Sequence, residues 1–126
     1  YQREGVHGMV CGVIGAEGSG WFREPVHNLE DFKALKIGMS GLGSIVARQL
    51  GVRVTELEES QVFDALKNNI IDAAEASQPA IDINLGLQKI AKHYYFPGWH
   101  QPATLLHLII NPKAWQELPE PKRWMP

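Results

Sequence analysis

Short apolar runs alternate with stretches of helical periodicity along most of the chain. The apolar or alternating runs predict strands at residues 9–14, 21–24, 36–39, 52–57, 70–74, 93–96 and 103–110. Apolar residues at helical spacing predict helices at residues 29–35, 44–50, 61–67, 79–92 and 112–118. Alternation of this kind is typical of an α/β fold, in which a mostly parallel sheet is flanked by helices.

Residues that favour the N-cap position mark the starts of several of these helices. Asn28 and Asn111 stand where an N-cap is needed, and Ser60 is the expected cap of the helix over residues 61–67. The predicted apolar face of the helix over residues 44–50 is Ile45, Val46 and Leu50, and that of the helix over residues 61–67 is Val62, Phe63 and Leu66. The helix that begins at Pro79 runs through Ile81, Ile83 and Leu87, with Gly86 as a weak point.

The segment around which the chain is organised is residues 36–51, a strand followed by a glycine-rich turn and a helix. The turn, residues 40–43, leaves backbone N–H groups at a helix N-terminus, where they and the helix dipole favour an anion or a carbonyl oxygen. The alternative is an ordinary connection between a strand and a helix. The pattern alone favours that alternative, because the full GxGxxG run is absent.

Length and composition narrow the function classes. The 126 residues suit one α/β domain, and 44% hydrophobic with 21% charged residues are typical of a soluble globular protein. A formal net charge of −2 gives no reason to expect nucleic acid or an anionic membrane as a partner. The chain opens on Tyr1 without a signal-peptide pattern, so we expect a processed or excised piece.

Polar residues follow several predicted strands, and these are the candidate site residues. Ligands of open α/β sheets bind beyond the carboxyl ends of the strands, where this chain carries Glu17, Ser40, Glu75 and Gln101. Glu17 and Glu75 could converge to hold a cation through oxygen ligands, or titrate as a coupled pair. The alternative is two solvated loop charges, which the pattern alone favours.

Other reactive residue types give weaker signals. The five histidines form no HxxxH or HExxH pair, so we expect surface or strand-end imidazoles rather than a zinc site. Cys11 is the only cysteine, which excludes an internal disulfide, and we expect it to be a small buried hydrophobe within a strand. The aromatic residues expected either to line a pocket or to pack in the core are Trp21, Tyr94, Tyr95, Phe96 and Trp99.

Nearly the whole chain resembles one family. Residues 9–24, MVCGVIGAEGSGWFRE, resemble the segment that opens the second lobe in the solute-binding proteins of TRAP transporters, the tripartite ATP-independent periplasmic receptors. The similarity continues in order through residues 28–37, 65–75, 85–100 and 110–119. The 2-oxo-acid and monocarboxylate branch of the family is the most similar.

The resemblance implies a receptor of two α/β lobes that closes on a small organic acid and delivers it to membrane permease subunits. This chain would be mainly one lobe, binding rather than catalysing. The branch holds its substrate and a metal cation, so a sodium or calcium ion is expected at Glu17 and Glu75, with Trp99 beside the solute. The resemblance implies a periplasmic location. Because no export signal is visible in this chain, a cytoplasmic location remains the alternative.

Several positions depart from the pattern of the branch. Gly38 stands where the family carries its carboxylate-clamping arginine, and glycine has no side chain to replace a bidentate guanidinium. Glu17 replaces a glutamine, Ala76 a tryptophan and Gln101 an acid, whereas Glu75 is retained.

Three interpretations follow from these departures. In the first, the lobe still binds a small solute, neutral or cationic, with Glu17 and Glu75 as anchors. In the second, it has lost the solute and persists as a stand-alone domain that forms homo-oligomers through a face that the missing lobe would cover. The least favoured is an enzyme built on the lobe.

Overall fold

The computed structural model describes residues 1–123, except for the side chains of Gln2, Pro121 and Arg123, and it divides into two compact units. One unit combines residues 1–14 with the chain from residue 103 onward, and the other is residues 15–102. The strands are β1 (His7–Ile14), β2 (Gly20–Phe22), β3 (Lys36–Gly38), β4 (Arg53–Thr55), β5 (Ala73–Ala74), β6 (His93–Tyr95) and β7 (Thr104–Ile110). The helices are α1 (Leu29–Ala34), α2 (Gly41–Gln49), α3 (Glu59–Lys67), α4 (Pro79–Leu85), α5 (Pro112–Glu117) and α6 (Glu120–Arg123), with short 3-10 turns at Gln2–Glu4 and Leu87–Lys89.

The smaller unit is a two-stranded antiparallel ribbon followed by α5 and α6. β1 and β7 pair from His7 opposite Ile110 to Ile14 opposite Thr104, with an irregularity after Val10. Cys11 is exposed on this ribbon, so the expectation that it is buried is wrong. A ribbon of two strands covers neither of its own faces, so apolar side chains of both strands, such as Val10 and Leu106, are exposed.

The larger unit is a five-stranded sheet in the order β4-β3-β5-β2-β6. β3 runs parallel to both β4 and β5, whereas β2 is antiparallel to both β5 and β6. The α/β class is confirmed, but the sheet is mixed rather than mostly parallel. The alternation of strands and helices predicts direction only for strands joined by a helical crossover, as β3, β4 and β5 are by α2 and α3.

Two apolar clusters cover opposite faces of this sheet, because successive strand residues point to opposite sides. In β2, Trp21 belongs to one cluster and Phe22 to the other. The first cluster contains Trp21, Val62, Ala65, Leu66, Ile71, Ala74, Leu87 and Ala91. The second contains Phe22, Ile37, Met39, Ala47, Val52 and Ala73.

The buried face of α2 differs from the predicted one. The helix begins at Gly41, so most of the predicted turn is its first helical turn, and it buries Ser44 and Ala47. The apolar residues expected in the core point outward: Leu42 is 81% exposed, and Ile45, Val46 and Leu50 are also exposed. Small residues allow this helix to approach the sheet closely, and hydrophobicity alone does not reveal that preference. We call Leu42, Ile45, Val46 and Leu50 the α2 stripe.

The other helices agree with the sequence in position but not in every detail. The Asn28 and Asn111 caps are confirmed, since their side chains accept hydrogen bonds from the backbone N–H groups of Asp31 and Lys113. The N-cap residue of α3 is Glu58 rather than Ser60, and Glu58 forms a capping box with Gln61.

The helix α4 is shorter than predicted. It ends at Leu85 because Gly86 is left-handed, with a φ of 78°. It buries Asp82, whereas Ile81 and Ile83 are exposed.

Candidate functional site

Four loops of the larger unit meet at one edge of the sheet. β3, β5 and β6 end at this edge, and β2 begins there because it runs in the opposite direction. The loops that carry Glu17, Ser40, Glu75 and Gln101 therefore converge, as the rule of strand ends predicts. They border a cavity of about 350 Å³, the carboxylate cavity, lined by Glu17, Ser40, Gly41, Leu42, Gly43, Glu75, Ala76, His100 and Gln101.

Main-chain hydrogen bonds hold these loops to one another. Glu17 accepts from the Gly98 N–H at 2.6 Å and donates its own N–H to the carbonyl of Gln101 at 3.2 Å. The Glu75 N–H donates to the carbonyl of Gly38 at 2.9 Å. A Cβ atom at Gly98 would lie 2.7 Å from the Glu17 carbonyl oxygen, so only glycine permits this approach.

The carboxylate cavity contains a cluster of two acids and a histidine. His100 Nε2 lies 3.6 Å from Glu17 Oε2 and 3.7 Å from Glu75 Oε1. The side chains of Glu75, His100 and Glu17 are 8%, 10% and 20% exposed. The amide of Gln101 donates to Glu17 Oε1 at 2.8 Å. One ligand atom from each member of the cluster lies within 4.8 Å of the other two, close enough for all three to face a single ion.

The electrostatics of the cluster disfavour a charged Glu75. Burial, then the neighbouring charge of Glu17 and that of Asp82, raise the pKa of Glu75 from 4.5 to about 7. Its carboxylate accepts no hydrogen bond from the residues that the structure describes. A cation in this cavity would relieve both the desolvation and the repulsion.

Sequence reasoning did not find His100. The search for histidine pairs tested only local spacing, whereas this cluster draws one residue from each of three loops. His100 could have been found from its position, because it adjoins Gln101, whose loop was predicted to follow a strand and to border the site. Trp99 does not line the carboxylate cavity: it is 45% exposed, and its ring lies 5.2 Å from that of His100.

The N-terminal turn of α2 also lines the carboxylate cavity, through residues 40–43. Ser40 is the N-cap residue, with extended backbone angles, and its hydroxyl makes no capping hydrogen bond. The first N–H groups of an α-helix have no partner within the helix and carry the positive end of its dipole. The lining of the cavity therefore combines carboxylates with the first turn of a helix.

A second cavity, of about 360 Å³, adjoins the first through Ser40, Glu75 and Ala76. Gly38 borders it, and a Cβ there would lie 2.9 Å from Ile71 Cδ1 and 3.4 Å from Leu57 Cδ1. Among the described residues, the lining of neither cavity includes a lysine or an arginine.

A buried polar pair lies behind the cluster. Trp21 Nε1 donates to Asp82 Oδ2 at 3.1 Å, and Asp82 is fully buried. Burial raises the pKa of Asp82 and outweighs the opposing effect of the Trp21 hydrogen bond. Burial, then the charge of Asp82, raise the pKa of Tyr94 to about 12, and its ring packs 4.5 Å from that of Trp21.

The fold corresponds to that of periplasmic solute receptors. A TRAP periplasmic solute-binding protein from Colwellia psychrerythraea, solved with bound calcium and pyruvate, superposes with a TM-score of 0.74 at 35% identity, over 98% of this chain and 37% of that one. A protein of the same description from Pseudoalteromonas atlantica, with sodium and pyruvate, has a TM-score of 0.69 at 36% identity, with the same coverage. A monocarboxylate 2-oxoacid-binding periplasmic protein of Nostoc sp. is 39% identical over 120 residues, 95% of this chain and 33% of that protein.

The model of bacterial extracellular solute-binding protein family 7, DctP, matches residues 2–124. The chain belongs to this family, as the resemblance implied, and the family consists of periplasmic binding proteins rather than enzymes. The chain spans about a third of the length of the curated relative. None of the helices within residues 1–123 is long and apolar enough to cross a membrane.

Proposed function

We propose that this chain forms one side of the solute site of a TRAP-type receptor, in which a cation held by Glu17 and Glu75 anchors a small polar solute. The observation that carries the proposal is the carboxylate cavity, whose lining combines the largely buried pair Glu17 and Glu75 with the N-terminal turn of α2. In the full receptor the solute would pass to permease subunits, and the receptor would work in the periplasm, as in the family.

The cation follows from the acid pair. Two carboxylates in one cavity, one of them more than nine-tenths buried, repel each other unless one is protonated or a positive charge lies between them. Sodium and calcium take oxygen ligands of this kind. The similar receptors from Colwellia psychrerythraea and Pseudoalteromonas atlantica, solved with calcium and with sodium, support the same assignment here.

The solute class follows from the missing positive charge. A free organic acid would face Glu17 and Glu75 with no guanidinium to receive its carboxylate, because Gly38 offers none. A divalent cation would neutralise the two acids, so the site as a whole would carry no net positive charge to favour an anion over a neutral solute. We therefore infer a small neutral or cationic solute. Its oxygen atoms would coordinate the cation, and a carbonyl group of the solute would lie toward Ser40 and the first N–H groups of α2.

The test is calorimetric titration of the chain with calcium chloride and with sodium chloride, alongside melting temperatures. We expect saturable binding and a raised melting temperature, because a ligand that binds only the folded state stabilises it. Glu75→Gln should remove both effects, whereas Glu24→Gln, which changes an exposed acid outside the cluster, should leave them intact. Equal responses of the two variants would refute the cation site.

A second candidate is a stand-alone domain that associates with itself and binds no solute. The observation that favours it is the α2 stripe, together with the exposed apolar residues Val10, Val13, Leu105, Leu106, Leu108 and Ile109 on the β1–β7 ribbon. Apolar surface of this extent is typical of an interface. Saturable binding of a solute in the titrations would count against this candidate.

A further inference from the structure

We propose that Glu17, Glu75 and His100 form a site for a divalent transition metal such as Zn²⁺, with His100 Nε2 as a direct ligand, so that the site prefers such an ion to calcium. The inference rests on the proposed cation site and deepens it by naming the class of cation. The assignment depends on geometry, on burial and on the chemistry of the imidazole.

The geometry suits a small tetrahedral ion. His100 Nε2 stands 3.6 and 3.7 Å from one oxygen of each carboxylate, beyond the usual range of a hydrogen bond. Zinc bonds to nitrogen and oxygen of about 2.0–2.2 Å separate neighbouring ligand atoms around a tetrahedral centre by about 3.3–3.5 Å. The two distances from His100 Nε2 are therefore within a few tenths of an ångström of the tetrahedral value, and the two carboxylate oxygens lie within 4.8 Å of each other.

The histidine is buried without the hydrogen bonds that a buried imidazole needs. Only 10% of its side chain is exposed, and Nδ1 is buried with no partner among the described residues. Nε2 faces the two carboxylates at 3.6 and 3.7 Å, within ion-pair distance but longer than a hydrogen bond. A ring nitrogen held between two acids at these distances leaves room for an ion that all three groups could contact.

The chemistry of the donor set separates this ion from calcium. Calcium is a hard cation that takes six to eight oxygen ligands, whereas imidazole nitrogen is a usual ligand for zinc, copper and nickel. One histidine and two carboxylates leave further positions open for oxygen or nitrogen atoms of a solute. The site would thus bind a solute through an open coordination position, without a guanidinium.

The test compares zinc chloride and calcium chloride titrations of the full chain and of His100→Gln. Glutamine has a similar reach but offers an oxygen or an amide N–H in place of the ring nitrogen. We expect the chain to bind Zn²⁺ more tightly than Ca²⁺, and His100→Gln to lower the Zn²⁺ affinity by about tenfold to a hundredfold, with little change for Ca²⁺. The matched control is His27→Gln, which changes an exposed histidine outside the cluster.

A second measurement needs no variant. Nitrogen NMR of the unmodified protein should show one imidazole that shifts with Zn²⁺ and none that shifts with Ca²⁺. If His100→Gln and His27→Gln bind Zn²⁺ alike, or if no imidazole responds, the inference is overturned. Calcium binding that is lost in Glu75→Gln would then still support the proposed function; if neither metal binds the unmodified chain, the proposed cation site fails as well.

Discussion

At the scale of single residues, the site consists of acids placed where water is largely excluded. Glu75 and Asp82 are both buried, and burial is the largest cause of the raised pKa of each. A buried carboxyl of this kind is kept because its charge is used or because it stays protonated. The cation proposal addresses Glu75, and the following prediction addresses Asp82.

We predict that Asp82→Asn makes the stability of the protein less dependent on pH, and that its advantage over the unmodified chain grows as the pH rises above 3.8. Because the folded pKa of Asp82 lies above its ordinary value of 3.8, its contribution to stability is full below that value and is lost as the pH rises through the raised one. Asparagine retains an oxygen to accept from Trp21 and does not ionise.

Urea unfolding of this variant at pH values from 4 to 9 measures the effect. The free energies of unfolding of Asp82→Asn and of the unmodified chain should lie closer together at low pH and diverge as the pH rises. Asp64→Asn, an exposed change on α3, serves as the control. Parallel pH profiles for Asp82→Asn and the unmodified chain would contradict the assignment.

The second prediction at this scale concerns Gly38. Gly38→Arg alone should destabilise the fold by about 1–3 kcal/mol, since its Cβ meets Ile71 Cδ1 at 2.9 Å in a packed core. Ile71→Val removes that carbon at a cost of about 0.5–1.5 kcal/mol. The loss of stability in the double variant should therefore be smaller than the sum of the losses in the two single variants.

The double variant also tests the solute class. Calorimetric titration with pyruvate should show weak or no binding to the unmodified chain and to Ile71→Val, and a gain in Gly38→Arg/Ile71→Val. Tight pyruvate binding by the unmodified chain would show that no guanidinium is needed and would refute the inferred solute class.

The candidate site could be predicted from the sequence only in part. Glu17, Ser40, Glu75 and Gln101 were found because strand ends share an edge, a rule that needs no knowledge of packing. His100 was missed because its partners lie in other loops, so no local spacing identifies it.

At the scale of elements, the positions of helices were predictable and their orientations were not. Caps such as Asn28 act within one turn, so the sequence contains all that determines them. The buried face of α2 depends on how closely the sheet lies, and the direction of β2 depends on pairing with strands far along the chain. Both properties are tertiary, which is why the predicted apolar face and the mostly parallel sheet were wrong.

The difference between the predicted and the buried face of α2 can be tested with a matched pair of substitutions. Leu42→Gln changes a side chain that is 81% exposed, so it should alter the free energy of unfolding of the monomer by less than about 0.5 kcal/mol. Ala47→Leu adds three carbons at a fully buried position and should cost about 1–3 kcal/mol. Chemical denaturation of both variants measures this contrast, and the reverse order would mean that α2 packs on its apolar stripe.

At the scale of the whole molecule, the exposed apolar surface is the main feature to explain. The chain spans about a third of its curated relative, so residues that are exposed here can be covered in a longer protein. Alone, a surface of this kind favours association with a second copy.

We therefore predict a concentration-dependent oligomer in size-exclusion chromatography with light scattering. Leu42→Gln combined with Ile45→Gln should shift the population toward the monomer, because both changes place an amide in the apolar contact. A matched change at an exposed polar position, Gln49→Asn, should have no such effect. A protein that is monomeric at all concentrations would contradict the stand-alone candidate.

The hydrogen bonds that Glu17 exchanges with Gly98 and Gln101 run between main-chain atoms, so they do not depend on the side chains at positions 17 and 101. An acid and an amide could therefore trade places, as in Glu17→Gln combined with Gln101→Glu, and leave the backbone where it is. The groups that face the ion can thus be changed by one or two substitutions while the main chain around them stays the same.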